Sequence, residues 1–166
     1  MIDQTIIDKV NHQIQHELSN AYIYKGISLY FKGEDLNGFA AWFYKQSGEE
    51  EIHAQKLIDH LIDRGATPVL APLPAAKTTF DSPAAAVDLT FNLERSTTEY
   101  INKLYEAALE AKDYPLQILL QWYINEQVEE EQWTAELQRQ LKGPHGFCGS
   151  QIFFLNKVWG KRAAGE

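Results

Sequence analysis

The sequence predicts an all-α chain: an up-down-down-up four-helix bundle with one long crossover and a short fifth helix near its C-terminal end. Three observations carry this. Apolar side chains recur at alternating spacings of three and four through four long stretches, which is the mark of a helix with one buried stripe. The six prolines are unevenly placed, with none in the first sixty-odd residues and four crowded into 68–83. The breaks between stretches are also unequal, two being a few residues long and one about eighteen, as a bundle with a single crossover requires.

Taken in order, helix one is expected over about 4–33 and helix two over about 35–64. They are broken at Lys32-Gly33-Glu34-Asp35, with Gly33 as the stop and Asp35 as the N-cap of the second helix. Residues 65–82, opening Gly-Ala-Thr-Pro, read as the crossover. Helix three then runs over about 83–112, with Ser82 as cap and Pro83 at its first position. Asp113-Tyr114-Pro115 interrupts before helix four, about 115–142, which stops at Gly143-Pro144. The tail carries Ile152, Phe153, Phe154, Leu155, Val158 and Trp159, a short helix over about 149–161. Helices of about 28 residues are about 42 Å long, whereas an 18-residue segment extends to about 60 Å. The crossover therefore travels the length of the bundle and starts helix three parallel to helix two.

Composition narrows the function. The 166 residues suit one domain, 1–166, and are enough to bury a core. Fifteen Lys and Arg stand against twenty-three Asp and Glu, a net charge of −8, which argues against a nucleic-acid binder. The single cysteine, Cys148, excludes an internal disulfide and a multi-cysteine zinc site. The N-terminus lacks the basic and apolar regions of a signal peptide, and no stretch approaches a membrane span. A soluble, cytoplasmic protein without a membrane partner is the expectation.

The chemistry lies in the seams. Helix one reads Ile7, Val10, Ile14, Glu17, Ala21, Tyr24, Ser28, Phe31; helix two reads Phe39, Phe43, Gln46, Glu50, His53, Leu57. Helix three gives Val87, Phe91, Glu94, Thr98, Ile101, Tyr105, Ala108, and helix four gives Leu116, Leu120, Tyr123, Gln127, Glu130, Thr134, Leu137, Leu141. Each seam holds one glutamate near its middle, and the topology sets the four midpoints at one level. One such glutamate has an ordinary explanation at the edge of its stripe. Four at matching height do not, because buried carboxylates without partners cost several kcal/mol each and repel one another. No Lys or Arg lies in the seams at that level, but two divalent cations would balance four negative charges. Glu50 and His53 form Glu-x-x-His, one helical turn apart, which completes the pattern of carboxylate-bridged di-iron bundles. Oxygen-rich ligands with one imidazole suit iron or manganese, with zinc as a redox-inert competitor.

With these residues in place the chain resembles the ferritins, most closely the bacterial non-haem ferritins. The resemblance runs through His16-Glu17-Leu18-Ser19-Asn20-Ala21-Tyr22 and Glu49-Glu50-Glu51-Ile52-His53-Ala54 to Asn125-Glu126-Gln127-Val128-Glu129-Glu130-Glu131. It implies a hollow homo-oligomeric shell of twenty-four subunits that oxidises Fe(II) with O₂ or hydrogen peroxide and stores ferric mineral. On that resemblance Glu17, Glu50 and His53 bind one ferroxidase iron. Glu50 bridges to a second, which Glu94 and Glu130 hold, with Gln127 nearby, either supporting the ligands or positioning the oxidant. A third iron site would use Glu49, Glu126 and Glu129 with Glu130 shared, although an acidic solvated face reads the same way. Tyr24 and Trp122 read either as electron donors or as packing. Bacterioferritin, a near relative, differs: Gln127-Val128-Glu129-Glu130 lacks its second Glu-x-x-His. Met1 is the only methionine, and Ile52 occupies the neighbourhood of the haem-ligating one, so no haem is expected.

The remaining residues have two readings each. His12 and His16, four apart, form a solvated pair or a surface metal site. His60 belongs to packing or to a shell surface. His145 and Cys148 flank a glycine-rich turn that reads as a loop or as a metal or redox pair. The fifth helix, with Lys157, Lys161 and Arg162, packs in an oligomer or lies on a membrane surface. Two rival functions keep the metals: a di-iron oxidase of an organic substrate, and a helical assembly with structural metal.

Overall fold

A computed structural model describes residues 2–142 and 149–166; the expectations for His145 and Cys148, and for a stop at Gly143-Pro144, lie outside the described residues. Five helices follow in the expected order: α1 (Gln4–Gly33), α2 (Asn37–Asp63), α3 (Pro83–Glu110), α4 (Tyr114–Lys142) and α5 (Gly149–Ala164), with no strand among the described residues. The ends follow local chemistry. Asp3 caps α1 by accepting from the Thr5 N–H at 2.8 Å. Ser82 caps α3, accepting from Ala85 N–H at 3.1 Å, with Pro83 where its missing N–H costs nothing. Asp113 Oδ1 accepts from Leu116 N–H at 3.1 Å, and the same carboxylate meets Arg64 Nη1 at 2.7 Å, fastening the end of α2 to the α3–α4 turn.

The α1–α2 junction differs from expectation. Asp35 does not cap α2; it adopts φ +58°, while Gly33 is the last residue of α1. That left-handed step, which Asp tolerates better than most residues, lets Leu36 N–H donate back to Phe31 O at 2.9 Å and sinks Leu36 into the core. Leu36 has no side chain with which to cap. The cap comes instead from α5: Asn156 Oδ1 accepts from Gly38 N–H at 2.8 Å and Phe39 N–H at 3.0 Å. Such close docking needs glycine. A Cβ at Gly38 would lie 1.7 Å from the Asn156 carbonyl oxygen, and one at Gly160 3.0 Å from Gly38 Cα. Gly38→Ala is expected to displace α5 and cost about 1–3 kcal/mol. A lower thermal midpoint, with a red shift as Trp159 leaves its fully buried site, would register this.

The crossover climbs the flank of α1. Asn11 Oδ1 accepts from Val69 N–H at 2.8 Å, Gln15 Nε2 donates to Pro72 O at 3.2 Å, and Phe80 packs on Tyr30 with 5.1 Å between ring centroids. It therefore delivers α3 at the far end of the bundle, where α3 lies antiparallel to α1 (Tyr24 meets Glu94, His16 meets Thr97).

The seams of α2 and α4 are buried throughout. In α3 the buried stripe passes through Thr90, Thr97 and Leu104, while the expected Phe91, Thr98 and Tyr105 are only half-buried. In α1 Ile6, not Ile7, is in the core. The threonines can take core positions because their hydroxyls bond back to their own helix, Thr90 to Val87 O at 2.8 Å and Thr97 to Leu93 O at 3.0 Å. Two apolar clusters fill the bundle. One holds Phe31, Phe39, Phe43, Trp42, Trp133 and Trp159; the other holds Ile14, Leu57, Ile101, Leu104, Leu120 and Tyr123. The layer of acidic side chains lies between them.

Candidate metal centre

Each bundle helix delivers its mid-seam glutamate to the interior. Glu17 and Glu94 are completely buried, Glu50 is 2% exposed and Glu130 7%. His53, one turn after Glu50, is 5% exposed. One ligand atom each from Glu17, Glu50 and His53 lie within 4.8 Å of one another. His53 Nδ1 is 3.5 Å from Glu50 Oε2, too far for a hydrogen bond. Glu94 and Glu130 fall outside this tight trio but act on it: the charges of Glu17, Glu94 and Glu130 all oppose ionisation of Glu50.

The hydrogen bonds leave a gap in the middle. Gln13 Nε2 donates to Glu17 Oε1 at 2.8 Å. Glu94 accepts from the Tyr24 hydroxyl and from Gln127 Nε2, the latter at 3.2 Å. Glu130 Oε2 accepts from Trp133 Nε1 at 2.5 Å. Glu17 Oε2 and Glu50 Oε2 are buried with no hydrogen-bond donor. A buried carboxylate oxygen without a donor is costly, and a cation is the partner that removes the cost.

Protonation gives the same result. Burial, then the neighbouring carboxylates, hold the Glu50 carboxyl well above the usual range, and burial with the Glu94 charge does the same at Glu130. Burial pushes Glu94 up to about 7, even though its bonds from Tyr24 and Gln127 favour the ionised form. Burial lowers His53, leaving a neutral imidazole with a free lone pair, as a metal ligand requires. The phenol of Tyr24 is raised by burial and by Glu94. Without a cation the centre holds protons; a divalent ion can displace them.

A cleft of about 260 Å³ opens beside the centre, lined by His53, Glu49, Glu126, Glu129 and Glu130 together with Trp42 and Trp133. Glu49 and Glu126 are half-buried and Glu129 is exposed. Gln46 Nε2 steadies Glu49 at 2.5 Å. Trp122 packs edge-on against His53 at 5.4 Å, with the Lys56 ammonium 4.4 Å from its ring centre. His12 and His16 both pack edge-on against Tyr100, and His16 Nε2 is 2.8 Å from Thr97 Oγ1, so this pair serves the α1–α3 contact. His60 Nε2 lies 3.0 Å from Arg64 Nη1 at the base of the bundle.

Two contributors were missing from the seams, and a third, Tyr123, stood in one with no role beyond the core. Gln13 stands four residues before Glu17, Trp133 three after Glu130, and Tyr123 donates its hydroxyl to the His53 carbonyl at 2.5 Å. Helical i±3 and i±4 spacing could have pointed to the first two; the third depends on how α4 sits against α2.

A four-helix bundle that buries a glutamate from every helix around one imidazole belongs to the class of carboxylate-rich metal-binding bundles. Residues 7–143 match the family model for the ferritin-like domain, and the chain belongs to that family. It is 32% identical to the bacterial non-heme ferritin of Bacteroides fragilis strain 638R, over 98% of this chain and all of that one. It is 31% identical to the bacterial non-heme ferritin of Escherichia coli O157:H7, over 95% of this chain and 94% of that one. Among solved structures, an open-pore ferritin from the hyperthermophilic archaeon Archaeoglobus fulgidus superposes with a TM-score of 0.91 at 32% identity, covering 96% of this chain and 98% of that one. No helix among the described residues is long and apolar enough to cross a membrane.

Proposed function

We propose that the protein is an iron-storage ferroxidase: it binds two Fe(II) ions per chain as substrate, oxidises them with O₂ or hydrogen peroxide, and deposits ferric mineral in a shell of twenty-four subunits. The observation that carries this reading is the pair of donor-less buried oxygens, Glu17 Oε2 and Glu50 Oε2, inside a layer of four carboxylates and a neutral imidazole. Glu17, Glu50 and His53 hold one ion. Glu50 bridges to the second, which Glu94 and Glu130 hold. As iron goes from Fe(II) to Fe(III) the added charge is taken up by anionic ligands that already repel one another, so oxidation relieves the strain of the acidic layer. Tyr24 and Gln127 hold Glu94 in place through their hydrogen bonds. Family membership supports the assignment, as do the names of the relatives.

Glu49, Glu126 and Glu129 with Glu130 form a third iron site in the adjoining cleft. Anaerobic titration with Fe(II), followed by calorimetry, tests the arrangement. Wild-type protein is expected to bind three ions per chain, and the Glu126→Gln, Glu129→Gln double variant two. Unchanged stoichiometry in that variant would remove the third site from the account, and fewer than two ions in the wild type would remove the centre itself.

A further inference from the structure

The side-chain amide of Gln127 is gripped by its nitrogen. Nε2 faces three acceptors: Glu94 O and Glu94 Oε2, both at 3.2 Å, and Thr98 Oγ1 at 3.3 Å. A carbonyl and a carboxylate can only accept, whereas a hydroxyl serves either way. Thr98 has one hydroxyl proton, and it is committed, because Oγ1 donates to Glu131 Oε1 at 2.6 Å. Glu131 thereby leaves Thr98 nothing but lone pairs to offer Gln127. The amide is planar, so with its NH₂ end against α3 its carbonyl oxygen stands at the opposite end. Gln127 is 4% exposed and lies one turn before Glu130 in the buried stripe of α4, which keeps that oxygen within the acidic layer. Thr98 and Glu131 are only half-buried and stand behind the amide.

This order of donors matters most when cations enter. On the function proposed above, Glu94 holds the second Fe(II), which competes with the amide for Glu94 Oε2. Nε2 then relies on Glu94 O and Thr98 Oγ1. A Thr98 free to turn its proton toward Gln127 would let the amide reverse, setting a positively polarised N–H against the cation. The carboxylate of Glu131 holds the proton on the other side and prevents the reversal.

We propose that Thr98 and Glu131 are positioning residues of the metal centre, which fix the polarity of the Gln127 amide so that its carbonyl oxygen, and not its N–H, faces the second Fe(II). The proposal rests on the ferroxidase reading and deepens it for the second ion alone. Neither residue touches an ion. Glu131 orients the hydroxyl, the hydroxyl orients the amide, and the amide turns its negative end toward the cation.

Infrared difference spectroscopy of assembled protein carrying glutamine labelled with ¹³C at the side-chain carbonyl tests this, with Zn(II) as the probe ion. The Glu126→Gln, Glu129→Gln background removes binding in the cleft and leaves two ions per chain. Filling the second site is expected to move a label-sensitive carbonyl band to lower frequency, and Gln127→Leu to abolish that band. Thr98→Val removes the hydroxyl without changing charge. It should shrink the shift and weaken the second ion about tenfold by calorimetry, the low end of the roughly 10–100-fold for an outer-shell partner, because Glu94 O still holds the amide. The first ion should bind as before, and Thr98→Ser should restore both readings. Glu131→Gln, whose amide can donate to Thr98 and release its proton toward Gln127, should shrink the shift as well. A second ion that moves no label-sensitive band overturns the proposal, as does a Thr98→Val variant with the wild-type shift and affinity. Equal weakening of both ions in Thr98→Val also overturns it, since the hydroxyl would then serve only the fold. Fewer than two Zn(II) per chain in otherwise wild-type protein overturns the ferroxidase reading, and this proposal with it.

Discussion

Replacing Glu50 by Ala is expected to slow the first rapid phase of Fe(II) oxidation by more than the roughly 10–100-fold that follows loss of an outer-shell partner, because in the proposed centre this residue contacts both ions. Glu50 sits at the crowded point of the centre: it is the carboxylate nearest Glu17 and His53, and three other glutamates oppose its ionisation. The same residue is a liability for the metal-free fold. Its Oε2 is buried with no donor, so Glu50→Gln, which keeps the shape and cannot ionise, should raise the stability of chelated protein at pH 8 by about 1 kcal/mol or more. Stopped-flow absorbance and thermal melting, run on the same variants, read the two effects. Opposite signs are expected for Glu50→Gln, slower oxidation and a higher midpoint. A variant that is both slow and unstable would mean that Glu50 is structural.

Metal-free protein should lose stability as pH rises from about 5 to 8, and bound divalent metal should abolish most of that loss. The Glu94 carboxyl has an ordinary value of 4.5 and is pushed up to about 7 in the fold. Between those values the native state holds a proton that the unfolded chain has released. Its contribution is thus fully present below about 4.5 and disappears as pH passes through about 7, a change of about 3 kcal/mol for this group alone. Glu50 and Glu130 are shifted in the same direction and add to the slope. His53, held down by burial, works in the opposite direction, favouring the fold once the free imidazole is neutral. Metal displaces the carboxylate protons, so melting midpoints with excess Zn(II), which binds without redox chemistry, should be far flatter across this range than those in chelator. Equal slopes in the two series would show that the acidic layer does not bind the metal.

Much of this site was legible in the sequence because helical geometry makes it so. A 3–4 seam fixes which residues face inward, and equal helix lengths with short connections put the four seam midpoints at one level. Glu17, Glu50, Glu94 and Glu130 could thus be brought together on paper, and all four are buried where the helices cross. What failed was set by contacts between distant segments. Asp35 looked like a cap, yet α2 is capped by Asn156, 118 residues away from Gly38. Thr90 and Thr97 look polar in sequence but enter the core, because their hydroxyls are satisfied within their own helix.

On the proposed function, buried carboxylates couple Fe(II) oxidation to storage in a shell of this chain. Aerobic loading with Fe(II) in large excess over two ions per chain, followed by size exclusion with iron detection, tests it most directly. Oxidised iron is expected to stay soluble and to elute with protein at the mass of a multi-subunit shell. Iron that oxidises but precipitates, leaving a small iron-poor species, would contradict it.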